Sequence, residues 1–95
     1  MPVVIVSPPG LTQEKYDETV RRIFPSGRLS SPEDFPVEGM LVHIAGESAN
    51  GFRVVEVWDS EAALQRYSET LVPILQEQGV EGQPEVYPTY NFVSA

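Results

Sequence analysis

Residues 39–58, GMLVHIAGESANGFRVVEVW, decide the fold. They contain two apolar runs, 40–45 and 52–58, separated by a polar segment that includes Asn50-Gly51. An Asn-Gly pair readily adopts the backbone conformation of a tight hairpin turn, so the stretch predicts two antiparallel strands joined directly. The first run also carries His43, the only histidine of the chain, which needs a polar partner if it is buried.

Side chains that alternate along these two strands fall into an aliphatic set and a mixed set. The aliphatic set consists of Met40, Val42, Ile44, Val55 and Val57. The mixed set includes Leu41, His43, Val54, Glu56 and Trp58. A hairpin loop of two or of four residues gives the same two sets, because a register shift of two preserves the facing of every side chain. We expect the aliphatic set to pack under helices and the mixed set to form the other face of the sheet.

The segments that flank the hairpin predict the remaining elements. Residues 3–6 are a β-branched run and predict a strand. Thr12 predicts the start of a helix that ends before residue 25. The proline-rich residues 25–38 show no periodicity and predict a long irregular loop near the mouth of a pocket.

A second helix is predicted after the hairpin, with Asp59 or Ser60 as its cap. Pro73 lies inside the helical pattern and predicts a kink or a break near residues 71–72, because proline supplies no backbone N–H. Gly79 is the predicted end of this helix.

The last predicted element is a strand over residues 86–92, in which Pro88 favours an edge of the sheet or a bulge. The order β-α-β-β-α-β over residues 1–95 predicts a single α+β domain: a ferredoxin-like, four-stranded antiparallel sheet with two helices on one face. The second face of that sheet also needs cover if it is apolar. We therefore expect a homodimer formed through the face that bears His43.

The composition argues against several kinds of function. The chain has 95 residues, and its 14 acidic and 6 basic side chains give a net charge of -8, which disfavours nucleic acid and anionic membrane surfaces as partners. With no cysteine and one histidine, neither a disulfide framework nor a structural metal site is expected. The N-terminus has no basic segment before a long apolar run, so we expect a cytoplasmic protein.

Two motifs add a family resemblance. The segment PGLTQEKYD at 9–17 opens the first helix, and VVEVWDSEAAL at 54–64 joins a strand that ends in Trp58 to an acidic residue, a cap and a helix. With the order of elements, these motifs resemble the dimeric α/β-barrel superfamily, which includes antibiotic-biosynthesis monooxygenases and haem-degrading monooxygenases. The resemblance covers nearly the whole chain. It implies a homodimer in which two sheet faces enclose a barrel with a small-molecule pocket in each half.

The haem-degrading members of that superfamily use an Asn on the first strand, a Trp at the strand–helix junction and a His on the following helix. Here Trp58 matches, Ser7 stands near the position of the Asn, and the helix carries Tyr67 and Ser68 but no His. The resemblance therefore does not extend to a haem ligand, and no cofactor is expected.

The activity that the resemblance implies is that of a cofactor-independent monooxygenase acting on a small aromatic or polyketide-like substrate. Such an enzyme needs a base, an anion-stabilising group and a dry pocket. We expect His43 to be the base, Glu56 to orient it, and Trp58 to flank the ring of the substrate. Further residues expected to contact the substrate are Leu41, Val54, Tyr67 and Ser7. The same groups would serve a proton-transferring cyclase or isomerase, and a non-catalytic dimer with a structural His43–Glu56 pair is the alternative to an enzyme.

Overall fold

The computed structural model describes residues 1–24, 26–35 and 38–95. Its elements in chain order are β1 (Val3–Val6), α1 (Gln13–Ile23), a single 3-10 turn (Pro32–Asp34), β2 (Met40–Ser48), β3 (Gly51–Trp58), α2 (Glu61–Glu77) and β4 (Glu85–Pro88). The strands form one antiparallel sheet in the order β2-β3-β1-β4. The predicted fold class is confirmed, because an α+β chain with this element order and strand order has the ferredoxin-like arrangement.

Side-chain caps begin both helices. The Thr12 hydroxyl accepts a hydrogen bond from the backbone N–H of Lys15 at 3.2 Å. The Ser60 hydroxyl accepts one from the backbone N–H of Ala63 at the same distance, 3.2 Å. These bonds satisfy N–H groups that have no partner within the first turn of a helix. The predicted cap at Thr12 is confirmed, and Ser60 is the cap of α2.

α2 ends just before Gly79, the residue that the sequence predicts as its stop. The backbone φ angle there is 80°, a conformation that glycine adopts without steric cost. The N–H groups of Gly79 and Val80 donate back to the carbonyls of Gln76 and Leu75. The helix continues through Pro73, so the break considered near that residue does not occur. Apolar packing on both sides of the proline outweighs the one backbone hydrogen bond that it removes.

The irregular parts of the chain differ in detail from expectation. The predicted loop over 25–38 includes Pro25, Pro36 and Val37, which lie outside the described residues, and its described part contains only the 3-10 turn as regular structure. β4 ends at Pro88 and is therefore shorter than the predicted strand over 86–92. The N–H of Thr89 still donates to the carbonyl of Pro2 on the neighbouring segment, but Pro2 has no N–H to return that hydrogen bond. β4 is an edge strand, as Pro88 indicates.

The hairpin loop has an even number of residues, as the predicted facing of the side chains requires. Ser48 pairs with Gly51, so the loop consists of Ala49 and Asn50 rather than of Asn50 and Gly51. This register places His43 directly opposite Glu56.

A bulge at Leu41 interrupts the alternation at the start of β2. Met40 lies opposite Trp58, and Val42 lies opposite Val57, so β2 has one more residue than β3 over this step. The extra residue turns Met40 onto the face of Trp58, where both are buried in one core cluster. The assignment of Met40 to the aliphatic face is therefore wrong.

Both helices cover the face that bears His43, which corrects the predicted assignment of faces. The Tyr16 hydroxyl, on α1, lies 2.7 Å from a ring nitrogen of His43. The ring of Tyr67, on α2, packs on Trp58 with the ring centroids 5.1 Å apart. The homodimer cannot use this face as predicted, because α1 and α2 of the same chain already occupy it.

The physical reason for the reversed faces is the size and polarity of the side chains. Phe52 and Trp58 are long enough to fill the space between a sheet and its helices, whereas a row of valines forms a shallow surface. Tyr16 also supplies a hydrogen-bond partner that His43 would lack on the aliphatic side. On that other face, exposure rises from 9% at Val57 to 58% at Ile44.

Candidate functional site

A cavity of about 180 Å³ lies between the two helices and the sheet. Most of its wall is apolar. The polar side chains in the wall are Ser7, Tyr16, Thr19, His43, Glu56, Tyr67, Ser68, Gln76, Glu81 and Gln83. A dry protein cavity of about 150 Å³ takes up a molecule of the size of benzene. The cavity here therefore has room for a single ring with one or two small substituents.

A chain of hydrogen bonds runs along the wall from α1 to the end of β3. The Tyr16 hydroxyl lies 2.7 Å from Nε2 of His43, and Nδ1 of His43 lies 2.9 Å from Oε2 of Glu56. The indole N–H of Trp58 donates to Oε1 of Glu56 at 3.1 Å. Because a carboxylate only accepts hydrogen bonds, His43 donates from Nδ1. In the neutral form of an imidazole with its hydrogen on Nδ1, Nε2 is an acceptor, and here it would accept from the Tyr16 hydroxyl.

Strand register and helix geometry bring these four side chains together. His43 and Glu56 are direct partners across β2 and β3. Trp58 follows Glu56 by two residues on the same strand, so the two side chains share a face. Thr12 fixes the start of α1, which carries Tyr16 over that face.

The His43–Glu56 pair, in the middle of these hydrogen bonds, is buried, since the two side chains are 10% and 9% exposed. Burial raises the pKa of Tyr16, and the negative charges of Glu56 and Asp17 add to the shift. Burial also raises the pKa of Tyr67, and Glu56 and then Tyr16 add to that shift. Both phenols therefore stay protonated at neutral pH and act as hydrogen-bond donors.

The Tyr67 hydroxyl has no hydrogen-bond partner among the described residues, although Tyr67 is only 4% exposed. Every fully inaccessible side-chain nitrogen or oxygen in the described part of the chain has a partner. The Tyr67 hydroxyl must therefore reach accessible space, and the cavity is the space that its side chain lines. A neutral donor without an acceptor among the described residues is therefore available at the wall of the cavity.

The residues expected at a site fall into two groups. Those that line the cavity are Ser7, His43, Val54, Glu56 and Tyr67. Trp58 is fully buried and bonds to Glu56, and Leu41 is 43% exposed at the bulge; neither belongs to the wall among the described residues. The described residues of the 25–38 loop also lie outside the wall.

Tyr16 is a site residue that the sequence pattern does not reveal directly. Its spacing fits the apolar stripe of α1, which continues with Val20, Ile23 and Phe24. Its residue type is the one signal in the sequence that could have indicated this role. A tyrosine in a buried aliphatic stripe carries a hydroxyl that needs a hydrogen-bond partner. In this chain, His43 supplies that partner.

Within residues 1–24, 26–35 and 38–95, no group of three or more His, Cys, Asp or Glu side chains is placed to hold a metal ion. No helix in those ranges is long and apolar enough to cross a membrane. No family model, no curated protein and no solved structure matches the chain. The cavity and its hydrogen-bond chain are therefore the observations from which a function is inferred.

Proposed function

We propose that the protein binds a small molecule of about single-ring size in the cavity, and that Tyr16 and His43 transfer a proton to or from it. The observation that carries this proposal is the hydrogen-bond chain Tyr16–His43–Glu56 in the wall of a mainly apolar cavity. An apolar cavity with a few convergent polar groups is the usual form of a small-molecule site. A histidine held by a carboxylate is a common general acid–base group.

The path of the proton follows from the donors and acceptors. Tyr16 gives its hydroxyl proton to Nε2 of His43 while the Tyr16 oxygen takes a proton from the bound molecule. The products are an imidazolium and a deprotonated ligand. Glu56, 2.9 Å from Nδ1, stabilises the imidazolium, and Trp58 holds the other carboxylate oxygen. A positioned acid–base group of this kind accelerates proton transfer by about 10²–10⁴-fold.

Two reaction classes would use this proton transfer. In an isomerase or cyclase, the proton returns to a different atom of the ligand. In a cofactor-independent monooxygenase, the deprotonated ring passes an electron to O₂, and the substrate supplies the reducing power. The apolar wall supports the oxygenase as a second candidate, because it keeps water away from a reactive anion. In either class, a volume of about 180 Å³ favours a small aromatic or cyclic molecule over a polycyclic polyketide.

Phenol is the probe for the binding step, and an NMR titration of the backbone amides measures its affinity. We expect the chemical-shift changes to be concentrated at the residues of the cavity wall. Val20→Phe, which adds a ring to the wall, should abolish them. Val93→Phe, at an 81% exposed position outside the described wall, should leave them unchanged, and circular dichroism checks that both variants fold. Shifts that Val20→Phe does not reduce, or no shifts at all, would contradict the proposal.

Oxygen uptake separates the two reaction classes. With hydroquinone as the probe, an oxygen electrode records uptake only if the deprotonated ring reacts with O₂. Uptake by the wild type above that of His43→Ala supports the oxygenase. Equal uptake by the wild type and by buffer excludes oxygenation of this probe and leaves the isomerase or cyclase as the candidate.

We also propose a homodimer, formed through the sheet face opposite His43. The exposed or half-buried apolar residues on that face include Val42, Ile44, Val55 and Tyr87. A chain of 95 residues buries a modest share of its surface, so cover for an apolar face adds to its stability. The charge of -8 on each copy opposes association, and added salt should therefore strengthen the dimer.

A further inference from the structure

The Tyr67 hydroxyl marks a position in the cavity wall where a ligand atom can accept a hydrogen bond. Tyr67 is 4% exposed and lines the cavity, and its hydroxyl has no acceptor among the described residues. When a ligand displaces water from the cavity, a hydroxyl in the wall loses the hydrogen bonds that water gave it. A ligand oxygen at this position would restore one of them.

The charges of the wall restrict the ligand further. Glu56 and Glu81 belong to the wall, while no lysine or arginine of the described residues does. Glu56 is 6% exposed, so water screens its charge poorly. A carboxylate or phosphate placed in the cavity would meet this charge without a cationic side chain to offset it. The wall therefore favours a ligand that is neutral when it binds.

We propose that the ligand is a neutral carbonyl compound with a hydrogen on the carbon next to the carbonyl group, whose oxygen accepts a hydrogen bond from Tyr67. This inference rests on the proposed function, because Tyr16 and His43 then remove that hydrogen as a proton. The two roles come from different helices: Tyr67 is on α2, and Tyr16 is on α1. Donor and proton acceptor therefore approach the ligand from separate parts of the wall.

The proposed step balances without an added reactant. The bond between the α-carbon and its hydrogen breaks, and the proton reaches Nε2 of His43 through the Tyr16 hydroxyl. The electron pair left on carbon forms a carbon–carbon double bond, and the carbonyl π pair moves onto oxygen to give an enolate. Tyr67 donates to that oxygen, where negative charge develops. Burial raises the pKa of Tyr67, so it remains a donor while the enolate exists.

A pair of probes of equal shape tests this assignment. Cyclohexanone carries an acceptor oxygen where methylenecyclohexane carries a CH₂ group, and both have a single ring. Their dissociation constants are measured by NMR titration of the wild type and of Tyr67→Phe. We expect the ratio of the two constants to shift against cyclohexanone by about threefold to tenfold in the variant, the effect of one net hydrogen bond. Tyr87→Phe, which removes a hydroxyl outside the described wall, should leave the ratio unchanged.

The outcomes of this test separate the inference from the proposed function. If neither probe shifts the amide signals of the cavity wall in the wild type, both the carbonyl assignment and the small-molecule site are wrong. If both probes bind and Tyr67→Phe leaves the ratio unchanged, the carbonyl assignment is wrong while the small-molecule site stands. Cyclopentanecarboxylate is the anionic probe, and we expect at least about tenfold weaker binding than for cyclohexanone because Glu56 repels it. Equal or tighter binding of this anion would overturn the requirement for a neutral ligand.

Discussion

The two faces of the sheet carry different kinds of side chain and therefore have different roles. The face under the helices holds His43, Glu56 and Trp58, which are tied to one another by hydrogen bonds. The opposite face holds mainly aliphatic side chains such as Val42 and Val55, with Arg53 and Glu85 toward one end. Its aliphatic part attracts a partner by burial of apolar area. The helices thus lie over the face whose buried polar groups they can satisfy, and a mainly aliphatic surface is left for other contacts.

The largest difference between the faces is expected in stability. Trp58→Ala should lower the free energy of unfolding by about 3–5 kcal/mol, because it empties a fully buried site and removes a donor to Glu56. Ile44→Ala, at a 58% exposed position on the other face, should cost about 0.5 kcal/mol or less. Urea unfolding at a dilution where the protein is monomeric measures both. Similar costs for the two variants would show that the faces do not differ as described.

The next effect concerns self-association through the aliphatic face. Ile44→Asp places a carboxylate on that face and should weaken the proposed homodimer by about tenfold or more, since burying an unpaired charge costs more than 1.4 kcal/mol. Sedimentation equilibrium in high and low salt measures the association. Glu47→Gln, an exposed change near the end of the same strand, is the control. A monomer at micromolar concentration in the wild type would contradict the dimer.

Much of the fold is predictable from the sequence because it depends on local chemistry. Thr12, Ser60 and Gly79 act within one turn of their own positions, and Asn50 lies in the predicted hairpin loop. Their effects need no knowledge of distant residues. The order of elements, and with it the ferredoxin-like class, follows from such signals.

The choice of face depends instead on contacts between distant segments, so the sequence pattern leaves it open. Both faces of the central hairpin read as apolar, and the partner of His43 lies 27 positions away on α1. The bulge at Leu41 adds to the difficulty, because one extra residue reverses the facing of Met40 without a turn signal. The sharing of one face by His43 and Glu56 is predictable, since it requires only an even loop. Their direct pairing is not, because loops of two and of four residues place different residues of β3 opposite His43.

A smaller effect is expected in alkaline solution and again separates the faces. Burial raises the pKa of Tyr67 in the folded chain, so above the unfolded value of about 10 the unfolded chain loses this proton first. The folded chain then binds one more proton than the unfolded chain, and stability falls by about 1.4 kcal/mol per pH unit for each such group. Stability linked to Tyr67 is thus present below pH 10 and is lost as the pH rises.

Urea unfolding between pH 9 and 11 measures this loss. Tyr67→Phe should make the decline with pH less steep. Tyr90→Phe is the matched control, because Tyr90 is fully exposed and its surroundings change little on unfolding. An unchanged slope in Tyr67→Phe would mean that the tyrosine is more accessible than its 4% exposure indicates.

The smallest expected effect decides whether His43 and Glu56 form a site or a structural pair. His43 lines the cavity, so its removal opens Glu56 to water that enters from that side. A site that holds water or ligand in this way should tolerate His43→Ala at a cost of about 1 kcal/mol, the net value of the hydrogen bonds that water replaces. A structural pair sealed from water would instead leave an unpaired buried carboxylate and cost about 3–5 kcal/mol.

Thermal unfolding of His43→Ala beside the wild type distinguishes the two. The control is His43→Gln, which keeps a donor for Glu56 and checks that charge rather than lost volume sets the cost. A loss near the larger figure in His43→Ala, recovered in His43→Gln, would assign the pair to stability and remove the basis for proton transfer.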